Sequence, residues 1–90
     1  MKESVVERHL VCRVRKMDGE VFKIQFIGRR GAPDRLVLFP DGESHWVELK
    51  APGKKAEPHQ ERLHAVLRGM LQSVLVLDSI EAVNKAFPLH

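Results

Sequence analysis

Ninety residues allow one small domain, because domains typically run about 100–150 residues, and residues 1–90 are read as a single unit. With 43% hydrophobic and 30% charged residues, the composition is that of a folded globular chain and excludes a disordered tail. The longest apolar runs are Leu36–Phe39 and Val74–Leu77, four residues each. A membrane helix needs roughly 20 and a signal peptide about 7 or more, so a cytoplasmic protein without membrane attachment is expected. Cys12 is the one cysteine, which excludes an internal disulfide and a four-thiolate zinc site. The net charge of +3 permits nucleic-acid binding without requiring it.

The first 17 residues have the pattern of an amphipathic helix, with Val6, Leu10, Val14 and Met17 on one stripe. Asp18-Gly19 ends it in a turn. Residues 20–27 alternate as a half-buried strand, with Val21 and Lys23 on one face and Phe22, Ile24 and Phe26 on the other. Gly28 to Pro33 breaks the pattern and forms a loop. Leu36–Phe39 is apolar throughout, which predicts a strand covered on both faces.

Pro40-Asp41-Gly42 is a turn, and His45–Lys50 alternates again. Trp46, Glu48 and Lys50 share one face of that strand, and Val47 and Leu49 share the other. After the loop at Ala51–Lys55, Pro58 opens a helix whose apolar stripe is Leu63, Val66, Leu67 and Met70. Val74–Leu77 is a further strand. Asp78 to Glu81 has capping-box spacing and starts a last helix ending near Phe87. The order α-β-β-β-α-β-α predicts a mixed sheet flanked by helices, of the α/β (α+β) class.

The chemistry gathers between Asp34 and Lys50. Pro40-Asp41-Gly42 fits a three-residue hairpin loop, with a type I turn and Gly in the left-handed position. That loop pairs Phe39 with Glu43, and counting back sets Asp34 opposite Glu48. Cross-strand partners share a face, with Cβ atoms about 4.5–5.5 Å apart. Two acids that close require a cation between them, and Lys50 projects from the same face. Such oxygens, with a backbone carbonyl, suit Mg²⁺, which can polarise a phosphate and activate water.

Arg29, Arg30, Arg35, Lys54 and Lys55 occupy or adjoin the two flanking loops and are candidates for phosphate contact. In the first helix Glu3 lies within the apolar stripe and Glu7 at its edge. Glu3 is the favoured site carboxylate and Glu7 the lesser candidate. Acids in a first helical turn also simply favour the helix dipole.

Pro33-Asp34, thirteen residues, then Glu48-Leu49-Lys50 resembles the PD-(D/E)xK nuclease signature. Gly31 to Leu38, Val47 to Gly53 and Gln60, with an early Glu-bearing helix and a final Val-Leu-Val-Leu strand, resemble the VRR-NUC family more narrowly. The likeness runs from about Glu3 to Phe87; Asp18-Gly19 departs from it, where many members carry paired glycines. The resemblance implies a restriction-endonuclease-like core and cleavage of DNA phosphodiesters with Mg²⁺ or Mn²⁺.

By position, the resemblance implies that Asp34, Glu48 and the Leu49 carbonyl hold the metal. It implies that Lys50 orients the attacking water and that Gln60 supports the site. It also implies a homodimer acting on branched DNA, such as a four-way (Holliday) junction. The alternatives are a flap or nicking endonuclease and a non-catalytic DNA-binding module on the same fold.

Overall fold

The computed structural model describes residues 2–89. Its elements are α1 (Glu3–Arg15), β1 (Glu20–Lys23), β2 (Arg35–Leu38), β3 (Ser44–Leu49), α2 (Pro58–Gly69), β4 (Val74–Leu77) and α3 (Ile80–Ala86). The sheet runs β1-β2-β3-β4, antiparallel across the first three strands and parallel between β3 and β4. Only the parallel pair needs a long crossover, and α2 supplies it. The fold is therefore the mixed sheet flanked by helices that the sequence predicts.

One face of the sheet carries the core. Val6, Leu10 and Val14 of α1 meet Val37, Val47, Leu49 and Leu77 of the sheet, and Val83 and Phe87 close the cluster. Residues spaced three and four apart put one stripe of α1 inward, and period-2 alternation brings Val47 and Leu49 to meet it. Polar ties reinforce the α1–α3 contact: His9 pairs with Asn84 at 2.7 Å, and Arg13 Nε donates to the Phe87 carbonyl at 2.8 Å. Cutting Leu10 back to Ala would cost about 2–5 kcal/mol, because it is fully enclosed.

The hairpin forms as its turn residues dictate. Gly42 donates to the Phe39 carbonyl at 3.0 Å, and Phe39 donates to the Glu43 carbonyl at 2.9 Å. Gly42 has φ +90°, the left-handed conformation that glycine adopts without penalty.

Four local expectations change. First, β1 ends at Lys23 instead of residue 27. Ile24 makes one last bond to the Asp34 carbonyl, and the chain then leaves the sheet through positive-φ Gly28 and Gly31. Second, β2 is covered on one face only, since Val37 is buried but Leu38 is exposed, as is Phe22, the β1 partner of Leu36. Third, the stripe of α2 is misaligned. Leu63 and His64 are buried, whereas Val66 and Met70 are exposed. α2 packs on β4 at the sheet edge, from the face opposite the core, so a narrow contact suffices. Fourth, α3 is capped by Ser79 instead of Asp78, its hydroxyl accepting from the Ala82 amide at 3.0 Å.

Candidate active site at the end of the β2–β3 ladder

The antiparallel register pairs Arg35 with Val47, so one position further Asp34 lies opposite Glu48. Both project from the face opposite the core. Asp34 follows a buried proline and is tied at both ends. Its carbonyl accepts from Ile24 at 3.1 Å, and its Oδ1 accepts from the Leu49 amide at 3.2 Å. This acid is therefore held by backbone and does not depend on a flexible loop.

Glu48 is only 5% exposed, and its Oε1 is buried without a hydrogen-bond partner. Burial first, then the Asp34 charge, pushes its carboxyl up from 4.5 to about 7. Lys50 and Arg35 oppose the shift, and Glu3 adds to it. A buried, orphaned carboxylate oxygen beside a second acid is what a cation would complete.

Among the described residues, no three His, Cys, Asp or Glu side chains are grouped to hold a metal ion. Two carboxylates with a carbonyl fit a hard ion that retains several waters, as Mg²⁺ does, and would leave a soft or tetrahedral ion under-ligated. A strand residue sends its N–H and C=O to the same side, so the Leu49 carbonyl points the way its amide does, toward Asp34.

The two helix acids separate. Glu7 pairs with the Arg35 guanidinium on the core face. Glu3 is exposed, and its charge reaches Glu48. Arg35, offered by the sequence as a phosphate contact, is instead buried. Besides Glu7 it binds the Asp34 carbonyl at 3.0 Å and lies 3.6 Å from Asp34 Oδ2. Its position in β2 turns it into the core side, away from the face that carries Asp34 and Glu48. Arg29 and Arg30, on the loop before Asp34, and Lys54 and Lys55, on the loop after Lys50, are all exposed.

Gln60 stands in the first turn of α2. Its Oε1 accepts from the Glu57 amide at 2.9 Å, one half of a capping box with Glu57 as the cap. Gly31 passes so close to this turn that a Cβ there would lie 2.5 Å from the His59 carbonyl. The loop carrying Arg29 and Arg30 is thereby seated against the start of α2.

Sequence reasoning missed three of these features. The Glu7–Arg35 pair has no local signal, because its members are 28 residues apart. The cap was readable as Glu57-x-x-Gln60, an acid in the place of the usual serine. His64 lies four residues after Gln60, and that spacing alone placed it on the face of α2 that turns inward.

No family model matches the sequence. The chain is 49% identical over 79 residues to "Putative nuclease p44" of Acyrthosiphon pisum secondary endosymbiont phage 1, covering 88% of this chain and 85% of that protein. A solved structure described as "VRR_NUC domain" superposes with a TM-score of 0.87 at 37% identity, covering 94% of this chain and 92% of the other. Identity at this level over nearly the whole length of both proteins exceeds what a shared fold alone accounts for, and the chain belongs to the VRR_NUC family of nuclease domains.

Proposed function

We propose that residues 1–90 form one metal-dependent DNA endonuclease domain that hydrolyses phosphodiesters of branched DNA with Mg²⁺ or Mn²⁺. The observation that carries the reading is the pairing of Asp34 with Glu48, whose buried Oε1 has no partner inside the protein. Asp34, Glu48 and the Leu49 carbonyl would hold the ion, with Glu3 as the helix carboxylate. When bound, the ion supplies Lewis acidity at the scissile phosphate and acidifies water.

The remaining steps belong to the chain. Lys50 shares the Glu48 face, so its ammonium orients the attacking water and stabilises the charge that builds on phosphate oxygens. In-line attack leaves a 5′-phosphate and a 3′-hydroxyl. Gln60, fixed at the start of α2, supports the site from the flank. Arg29, Arg30, Lys54 and Lys55 supply the salt-sensitive grip on the DNA backbone. Among the described residues, none of the seven elements has the form of a major-groove reader, so recognition follows backbone shape. No helix among the described residues is long and apolar enough to cross a membrane.

One site cuts one strand, and a four-way junction is resolved by two symmetric nicks, so the reading includes a two-fold homodimer. The testing experiment is a cleavage panel of four-way junction, flap, single strand and duplex, with and without Mg²⁺, alongside solution mass by light scattering. Paired nicks on the junction by a dimer support the resolvase reading. Single nicks by a monomer favour the flap or nicking enzyme, and binding without cleavage under any metal favours a non-catalytic module.

A further inference from the structure

We propose that the cavity between α2, β4 and the Lys54–Lys55 loop is a subsite for the DNA phosphodiester next to the scissile one, and that His64 is its hydrogen-bonding wall. The proposal rests on the nuclease reading and extends it to how the cut strand is seated.

The cavity has a volume of about 480 Å³ and is lined by Lys54, Lys55, Glu61, His64, Arg68 and Asp78, with Val76 from the sheet. His64 is 1% exposed, and its Nε2 has no hydrogen-bond partner. Among the described residues, the other buried side-chain polar atom without a partner is Oε1 of Glu48, which belongs to the candidate metal site. Buried polar atoms are nearly always paired, so a second orphan marks a second place where a group from outside completes the protein.

The two places adjoin. Val76 is the partner of Glu48 across the parallel β3–β4 pair, on the same face, and neighbouring strands are about 4.8 Å apart. The cavity thus begins one strand beyond Glu48. His64 is one helical turn past Gln60, and the Lys50 charge acts on both Glu48 and His64. A strand whose scissile phosphate lies at Asp34 and Glu48 therefore has its next phosphate within reach of this cavity.

The lining selects the ligand class. Lys54, Lys55 and Arg68 stand against Glu61 and Asp78, a balance that disfavours a bound cation. Arg68 is anchored, donating to the Val74 carbonyl at 2.8 Å. Burial, Arg68 and Lys50 hold the His64 imidazole below its usual range, outweighing Glu61, so the ring is neutral at pH 7. A neutral ring offers one N–H donor without repelling the three nearby cations. A phosphate oxygen accepts that donor and draws the lysines inward.

The test uses metal-free protein in EDTA, so that binding is read without cleavage. A fluorescent four-way junction is titrated by anisotropy over a range of salt, and the His64 imidazole is followed by ¹⁵N-edited NMR. In the wild type, DNA shifts the His64 resonances and leaves those of His45 in place. Lys54→Ala/Lys55→Ala lowers the slope of log affinity against log salt by about one, the value for one lost phosphate contact, and abolishes the His64 shift. His64→Gln weakens binding several-fold with the slope unchanged, since no charge is removed. DNA that binds with the His64 resonances unmoved, or a double variant with the full slope, overturns the subsite alone. Wild-type protein that fails to bind DNA at any salt overturns the nuclease reading and the subsite together.

Discussion

Asp34 Oδ1 accepts a hydrogen bond from the Leu49 amide at 3.2 Å, and this bond sets Asp34 across from Glu48 at the end of the β2–β3 ladder. The pairing concentrates negative charge where Glu48 is already buried. The protein without metal therefore carries an electrostatic penalty at its own candidate site, and folding stability should record it.

That penalty has a definite sign with pH. The folded-state value of Glu48 is raised, from 4.5 to about 7. Its contribution to stability is fully present below pH 4.5 and is lost as pH rises through about 7, a difference of about 3 kcal/mol. Glu48→Gln removes the titration. At pH 8 without metal, the variant should melt higher than the wild type, and the gap should close as pH falls toward 4.5. Thermal melts across pH in EDTA check this. Saturating Mg²⁺ at pH 8 should stabilise the wild type and leave Glu48→Gln unchanged.

Glu3 and Glu7 should fail differently. Glu7→Gln leaves the buried Arg35 guanidinium without its carboxylate, at a cost of about 1–3 kcal/mol. Glu3 is exposed, so Glu3→Gln should leave the melting temperature alone and raise the Mg²⁺ concentration needed for cleavage. Melting curves and metal titrations of the two variants separate the roles. A Glu7→Gln variant with unchanged stability but a large metal requirement would exchange them.

Lys50→Ala should bind DNA with near-wild-type affinity and lose turnover. Its proposed contribution is made in the transition state, so its loss lowers kcat and kcat/KM together. Anisotropy and single-turnover cleavage on the same substrate read both quantities. Weakened binding with intact turnover would make Lys50 a phosphate contact.

Leu71 offers a test independent of function. It follows α2 with φ +64° and its side chain is 93% exposed, so it gains nothing by packing and carries left-handed strain. Its amide donates to the Arg68 carbonyl, closing the helix as a glycine ordinarily does. Leu71→Gly should stabilise the protein by about 1 kcal/mol, read as a rise of roughly 4–8 °C in Tm.

The sequence was most legible where one residue type answers one local demand. Gly42 at the left-handed position fixed the hairpin, the hairpin fixed the register, and the register brought Asp34 to Glu48. The stripe of Val6, Leu10 and Val14 was readable because α1 packs along its length on α3 and the sheet. α2 was misread because it packs mainly on the edge strand β4, so Val66 and Met70 keep a helical period without a surface to bury it. Arg35 was misread because composition records its charge but not its side of the strand, and only the position of α1 brings Glu7 to it.

The central claim is that Asp34 and Glu48 form one metal-dependent cleavage site. Its most direct test is calorimetric titration of Mn²⁺ into wild type, Asp34→Asn and Glu48→Gln, with junction cleavage measured on the same samples. The account predicts saturable Mn²⁺ binding and cleavage by the wild type, and loss of both in each folded variant. Either variant binding Mn²⁺ and cutting the junction at the wild-type rate would contradict it.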